Sequence, residues 1–238
     1  MIHKELKEYA EMAASYRRLA DENDYWKFGD SRINDKAPQY KGNCLIVHGQ
    51  SFSGKTTLLH KMARELPRNI KIIVVVFDTR DVEAQNFWKD ASDQVINLSK
   101  ECRFSIGIRE MVLRFQSIFE KCLADVFDDG SDVLLIIDSC SQLVHAITES
   151  GIVPRGITLS GGIDQNVSDY IGSLFDLAGN YCNGGSFTIW GTCFVQNDEE
   201  IMSEGASFAL SQASTSDIVM DRAYRITNKS ISKTHIQK

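Results

Sequence analysis

Four short stretches of the chain are continuously apolar and rich in β-branched residues. They are CLIVH (44–48), KIIVVVF (71–77), DVLLIID (132–138) and SFTIWGTCFV (186–195). Strands that are apolar on both faces are typical of parallel sheets, because helices cover both sides of such a sheet. Mostly helix-like segments separate the four runs, so the pattern predicts an α/β fold with a mostly parallel central sheet flanked by helices.

Apolar residues at helical spacing mark several of the remaining segments. Helices are predicted over residues 55–66, 108–127 and 166–178. Residues 4–20 predict an amphipathic helix, and the polar segment 21–41 is interpreted as a linker. We therefore expect an N-terminal helix and linker over residues 1–40, followed by one domain over residues 41–238 that ends in a basic tail.

The composition indicates an ordinary globular protein. The 238 residues are 43% hydrophobic and 24% charged, and no run approaches the roughly 18 apolar residues of a membrane span. The charged N-terminus does not resemble a signal peptide, so we expect a cytoplasmic protein with no membrane partner. Six cysteines lack metal-ligand spacing and are interpreted as reduced, buried side chains. The net charge of −6 argues against broad attraction to nucleic acid, although the tail could be either a solvated segment or a local binding surface.

A glycine-rich loop follows the first predicted strand. The run GQSFSGKTT (49–57) matches G-x-x-x-x-G-K-T, in which glycine lets backbone N–H groups approach phosphate oxygens. Because it stands between a strand and a helix, the motif predicts a Walker A loop that binds ATP. Lys55 is expected to contact the β- and γ-phosphates, and Thr56 to ligate Mg²⁺. The expected nucleotide-binding residues are Gly49, Ser53, Gly54, Lys55, Thr56 and Thr57.

Carboxylates at the ends of two other predicted strands are candidates for the remaining chemistry. Asp138 ends the run DVLLIID, where a carboxylate beside a P-loop would hold the hydration shell of Mg²⁺ in the Walker B arrangement. A helix cap is the alternative role, but the position downstream of the Walker A loop favours the metal role. Hydrolysis also needs a group that orients water. Asp78 and Asp81, with Glu83 just beyond, are candidates, and each is equally consistent with a turn residue.

Four motifs together carry a family resemblance. In order, the Walker loop, DVLLIIDSCSQL, VPRGITLSGGID and NGGSFTIWGTCF resemble the ATPase domain of the bacterial transcription termination factor Rho, a hexameric RNA-dependent helicase with a RecA-like fold. The resemblance spans about residues 40–225, and SGGID (160–164) and GGSFTI (184–189) are its most specific parts. It implies a RecA-like Mg-ATPase module that forms a homo-oligomer, with a ring as the family's form, and that functions in transcription termination.

Two departures concern RNA loading and hydrolysis. The family carries an N-terminal RNA-binding domain of the OB type, whereas about 40 residues precede the resemblance here, so we expect primary RNA loading to be absent. Where the family has a glutamate thought to activate water, this chain has Thr79. A threonine cannot act as the base, so the resemblance implies slow hydrolysis unless Asp78 or Asp81 compensates.

Further differences concern the loops that grip single-stranded RNA in the family. The first loop contains Arg155 but no lysine, and the second carries the acidic run 198–200. Acidic groups repel a phosphate backbone, so we expect weak RNA binding to which Arg155 is the main contributor. Arg222 and Arg225 lie where RecA-like rings often present an arginine finger to the neighbouring subunit's nucleotide. Alternatively, they are surface residues paired with Asp217 or Asp221.

Three functions follow from these features. The leading one is a Rho-like, RecA-fold ATPase module, and the alternative is a noncatalytic or weakly hydrolysing nucleotide-binding protein that interacts with itself or with another ATPase. Thr79 and the acidic second loop favour the alternative. A P-loop small-molecule kinase is a third hypothesis, disfavoured because no arginine-rich lid follows Asp138.

Overall fold

The computed structural model describes residues 4–77, 81–101, 107–159, 162–182, 184–196, 205–221 and 226–227. The helices in these ranges are α1 (Lys4–Tyr16), α2 (Ser31–Lys36), α3 (Lys55–Arg64), α4 (Asp81–Trp88), α5 (Leu98–Glu101), α6 (Ile108–Phe127), α7 (Cys140–Ser150), α8 (Gln165–Phe175) and α9 (Gly205–Ala213). The strands are β1 (Arg17–Arg18), β2 (Cys44–Gly49), β3 (Lys71–Val76), β4 (Gln94–Asn97), β5 (Asp132–Asp138), β6 (Gly179–Tyr181), β7 (Ser186–Phe194), β8 (Ser216–Met220) and β9 (Ile226–Thr227).

One mixed sheet forms the centre of the fold. Its strand order is β4-β3-β5-β7-β2-β8-β9, and the neighbours from β4 to β8 pair in parallel. β9 adds to β8 in the antiparallel direction, and β6 and β1 extend from β7 in the same way. The predicted RecA-like α/β fold with a mostly parallel sheet is therefore confirmed.

Both faces of the sheet are buried, as the apolar runs predict. Ile46 faces the core beneath α6 to α9, whereas Leu45 and Val47 face the core beneath α2 to α4. Because successive side chains of a strand point to opposite faces, a strand covered on both sides must be apolar throughout. The carboxyl ends of the parallel strands meet at one edge of the sheet, which brings the Walker loop and Asp138 together.

The boundaries of the predicted helices agree with the structure to within a few residues, and α6 covers the range predicted for it. α3 ends at Arg64 and α8 at Phe175, slightly earlier than predicted. α1 ends at Tyr16 rather than continuing to residue 20, because the next two residues form β1 and pair with β6.

The segment 21–41 is packed against the sheet, so its interpretation as a linker is wrong. Trp26 and Phe28 are buried, and their rings lie 5.7 and 6.2 Å from that of Trp190. Ile33 in α2 is also buried in this core. Polar residues lie between these apolar side chains in the sequence, so no helical or strand pattern is visible there. The domain boundary at residue 40 stays a prediction.

Most of the described cysteines are buried thiols. Cys44, Cys122, Cys140 and Cys193 are free and buried, as predicted. Cys182 is free but exposed, which corrects the prediction for that position, and Cys102 lies outside the described residues. Among the described helices, none is long and apolar enough to cross a membrane.

Candidate nucleotide-binding site

Three residues of the Walker loop shape its backbone. A Cβ at Gly49 would lie 2.5 Å from the Met220 carbonyl oxygen and 2.6 Å from Ser53 Oγ, so only glycine fits there. Gly54 caps α3 in the left-handed conformation, at φ 87°. Phe52 is also left-handed, at φ 63°, and its side chain is 94% exposed. The loop thus turns sharply into the N-terminus of α3, where helix N–H groups favour an anion.

Lys55 lies against the backbone of this loop. Its Nζ donates hydrogen bonds to the carbonyl oxygens of Gly49, at 2.8 Å, and Gln50, at 2.7 Å. Burial lowers the pKa of Lys55, and the nearby carboxylate of Asp138 opposes this effect. The positive charge is therefore held at the base of the loop, within reach of phosphate oxygens bound there.

The hydroxyl and carboxylate expected to hold Mg²⁺ are neighbours. Thr56 Oγ1 donates to Asp138 Oδ1 at 3.3 Å. Thr192 Oγ1, from β7, donates to the same oxygen at 2.6 Å. Hydroxyl and carboxylate oxygens are hard donors of the kind that Mg²⁺ prefers, so the donor set fits this ion.

A cavity of about 290 Å³ adjoins these groups. It lies between the end of β5 and helix α4, and Thr56, Glu83 and Asp138 contribute its polar lining. The aromatic residues Phe87 and Trp88 also line it. The structure therefore brings Glu83, a candidate water-orienting carboxylate, to the same cavity as the predicted metal ligands.

The other predicted nucleotide-binding residues differ in exposure. The Ser53 side chain is fully buried, and its Oγ has no hydrogen-bond partner within the described part of the chain. Ser53 can therefore serve a phosphate only through its backbone. Thr57 is exposed on the first turn of α3.

Several predicted residues lie outside the described ranges. These are Asp78 and Thr79 after β3, the acidic run 198–200, and Arg222 and Arg225. Asp81 begins α4, but the placement of its side chain is not described. The assignments of the catalytic carboxylate and the arginine finger stay predictions.

The predicted RNA contact lies on an exposed segment. The Arg155 side chain is exposed, and the neighbouring Ile157 is 80% exposed. Asp164 shapes this segment, since its Oδ2 accepts a hydrogen bond of 2.6 Å from the backbone N–H of Gly156. Arg155 is thus accessible from solvent, and its role in RNA binding stays a prediction.

A buried polar network that no sequence pattern predicts lies directly before the Walker loop. His48 Nε2 lies 2.9 Å from Asp217 Oδ1, and Ser207 Oγ lies 3.0 Å from His48 Nδ1. Burial lowers the pKa of His48, but hydrogen bonds with Asp217 and Cys193 outweigh it and raise the pKa to about 9. The series of contacts from Ser207 through His48 to Asp217 resembles a hydrolytic triad. Ser207 is 0% exposed, however, and cannot contact a substrate.

This network also includes Asp217, one of the partners considered for the C-terminal arginines. Asp217 is 5% exposed on β8, and its carboxylate accepts hydrogen bonds from within the network, including one of 2.9 Å from Ser214 Oγ. The pairing of Arg222 and Arg225 stays a prediction, because both arginines lie outside the described residues. Asp217 ties β8 to the strand that leads into the Walker loop.

The loop between β2 and α3, its lysine and the Thr56–Asp138 pair define a P-loop nucleotide-binding site. The chain belongs to the ATP synthase alpha/beta family, whose nucleotide-binding domain matches residues 29–230.

Transcription termination factors Rho are among the curated relatives. The chain is 28% identical to Rho of Borreliella burgdorferi over 200 residues, which cover 80% of this chain and 36% of that protein. It is 30% identical to Rho of Haemophilus influenzae over 185 residues, which cover 73% of this chain and 42% of that protein. The resemblance to Rho is confirmed, and the chain spans less than half the length of these two relatives.

Solved structures share the fold. A prototypical ATPase from the type III secretion system of pathogenic bacteria superposes with a TM-score of 0.69 at 20% identity, covering 87% of this chain and 58% of that one. The assembled ATPase EscN of enteropathogenic E. coli superposes with a TM-score of 0.72 at 19% identity, covering 88% of this chain and 50% of that one. The fold is thus that of P-loop ATPases of this type.

Proposed function

We propose that the protein is a Rho-like ATPase module that binds ATP with Mg²⁺. The observation that carries this proposal is the contact of Thr56 Oγ1 with Asp138 Oδ1, at 3.3 Å, beside a lysine held at the base of a glycine-shaped loop. These groups are the ones that phosphate and magnesium binding require. Membership of a family of nucleotide-binding domains supports the same function.

Each group has a distinct role in this proposal. The ammonium of Lys55 and the N–H groups at the start of α3 bind the phosphate oxygens. Thr56 and Asp138 would hold Mg²⁺ and its water shell, and the ion would supply charge neutralisation on the phosphates. Glu83 and the carboxylates that follow β3 are the candidates for orienting the attacking water.

RNA dependence and assembly form the finer part of the proposal. The relatives named transcription termination factors suggest an oligomeric, RNA-stimulated ATPase linked to termination. Arg155 is the residue we expect to contact single-stranded RNA, and the acidic run 198–200 keeps that binding weak. In this arrangement Arg222 would complete a neighbouring subunit's site.

A nucleotide-dependent switch with little turnover is the second candidate function. Thr79 favours this switch, because it occupies the position at which the Rho family is expected to have the glutamate that activates water. Phosphate release separates the two functions. An ATPase releases phosphate under saturating Mg-ATP and does so faster with single-stranded RNA, whereas a switch binds Mg-ATP without appreciable release.

Calorimetric titration of the full chain with Mg-ATP tests the binding site. Lys55→Ala should abolish tight binding and leave the circular dichroism spectrum unchanged, because it removes a phosphate-directed charge. Lys61→Ala, at an exposed position of the same helix, is the matched control and should bind like the wild type. Equal affinities of the wild type and Lys55→Ala would refute the assignment.

A further inference from the structure

The Asp138 carboxylate accepts hydrogen bonds both from the neighbouring strand and from the Walker loop. Thr192 Oγ1 donates a hydrogen bond of 2.6 Å to Asp138 Oδ1, and Thr56 Oγ1 donates one of 3.3 Å to the same oxygen. Thr192 is 1% exposed. Its hydroxyl therefore lies within the sheet and cannot exchange this partner for bulk water.

The pairing of β5 with β7 fixes this contact. Ile137 pairs with Gly191, so the next residue of each strand, Asp138 and Thr192, come side by side at the carboxyl edge of the sheet. Thr192 also pairs with Val47 of β2, the strand that leads into the Walker loop. A hydroxyl at this position is thus anchored between the metal-binding carboxylate and the phosphate-binding loop.

A hydrogen bond to an ionised carboxylate is strong and directional. Once Oδ1 is held, the plane of the carboxylate is set, and with it the direction of Oδ2. Groups that orient a metal's ligands in this way commonly change metal affinity by about 10- to 100-fold when they are removed. A hydroxyl that donates only to the carboxylate has no direct contact with nucleotide, so its loss should leave the phosphate contacts intact.

We propose that Thr192 is a positioning residue that sets the orientation of the Asp138 carboxylate for Mg²⁺ and its water shell. The inference rests on the proposed binding of Mg-ATP. It assigns Thr192 an effect on the magnesium dependence of nucleotide binding and little effect on nucleotide binding without the metal.

The test compares Thr192→Val, which replaces the hydroxyl with a methyl group of similar size, with the wild type. Mg²⁺ is titrated at fixed ATP, and nucleotide affinity is followed by calorimetry; a second series measures ATP affinity in the presence of a chelator. Thr192→Val should raise by about tenfold the Mg²⁺ concentration at which the effect on ATP affinity is half-maximal. Its affinity for metal-free ATP should match that of the wild type. Thr192→Ser, which retains the hydroxyl, should restore the Mg²⁺ dependence to within about threefold of the wild type.

Thr188→Val is the matched control. Thr188 lies on the same strand and is equally buried, but its Oγ1 accepts a hydrogen bond of 2.8 Å from the backbone N–H of Gly42, away from the metal ligands. This variant should keep the wild-type Mg²⁺ dependence even if it is less stable. Thr192→Ala, which adds no bulk, provides a second hydroxyl-free variant in case the valine variant does not fold.

Three results would overturn the inference. The first is an unchanged Mg²⁺ titration in both hydroxyl-free variants. The second is a loss of metal-free ATP affinity as large as the loss of affinity with Mg²⁺. The third is the same rise in the required Mg²⁺ concentration in Thr188→Val. Failure of the wild type to bind Mg-ATP would instead overturn the proposed function. A wild type that binds Mg-ATP but does not hydrolyse it leaves the titration fully informative, because the readout is binding.

Discussion

The buried pair of His48 and Asp217 makes the stability of this fold depend on pH in the alkaline range. The pKa of His48 is raised from the ordinary 6.5 to about 9 in the folded chain, so folding favours the protonated ring. The resulting stabilisation is complete below about pH 6.5 and is lost as the pH rises through about 9. At about 1.4 kcal/mol for each pKa unit, the raised pKa makes the fold about 3 kcal/mol more stable below pH 6.5 than it is well above pH 9.

Four residues of the described ranges face this histidine. Asp217 approaches it from β8, Cys193 from β7, and Ser207 and Ser211 from α9. The carboxylate is thus the group whose removal should abolish the effect.

Urea unfolding at pH 6.5 and pH 9.5 measures the loss directly. The wild type should lose about 3 kcal/mol more unfolding free energy over this interval than Asp217→Asn does. Asp90→Asn is the control, because the Asp90 carboxylate that pairs with His60 is 48% exposed, and ion pairs open to solvent contribute little. It should show the wild-type pH dependence. Parallel pH profiles for the wild type and Asp217→Asn would refute the argument.

Three further predictions concern the candidate site. Asp138→Asn should raise the Mg²⁺ concentration needed for ATP binding by about 10- to 100-fold, and an unchanged calorimetric Mg²⁺ titration would contradict its metal role. Arg155→Ala should weaken binding of single-stranded RNA in a low-salt fluorescence titration, whereas Arg68→Ala, also exposed, should not; equal affinities would remove Arg155 from the RNA contacts. Wild-type phosphate release should fall below the roughly 1–10³ s⁻¹ typical of enzymes, and Thr79→Glu should raise it, since general-base catalysis is worth about 10²- to 10⁴-fold. Fast wild-type release that Asp81→Ala abolishes would show that Asp81 is the base instead.

The elements that could be predicted from the sequence have strong local signals. β2, β3, β5 and β7 are continuous apolar runs, and the spacing of Gly49 and Gly54 marks the Walker loop without knowledge of any distant residue. β4 is short, with Gln94 at one end and Asn97 at the other, and β8 contains the buried Asp217. Their polar residues hide them from a search for apolar runs. His48, the partner that makes the burial of Asp217 tolerable, lies far from it in the sequence.

The same limit applies to residues that support the site. Asp138 could be predicted because a carboxylate at the end of an apolar strand has a known use beside a Walker loop. Thr192 could not, since a threonine in a strand is also a common β-former, and its role depends on the register of β7 against β5. The packed segment 21–41 was missed for a related reason. Its apolar anchors are spaced irregularly and meet Trp190 only in the folded chain.

The pleat of β7 connects the two groups of buried polar residues. Successive side chains of a strand point to opposite faces. Thr192 therefore faces the side of the sheet covered by α3, where its hydroxyl donates a hydrogen bond to Asp138. Cys193 faces the side covered by α9, where it contacts His48. β2 lies between β7 and β8, so the Walker loop leaves the sheet from a strand held by polar contacts on both flanks. The two contacts should separate in experiment: loss of the Thr192 hydroxyl should change the response to Mg²⁺, whereas loss of the Asp217 carboxylate should change the response of stability to pH.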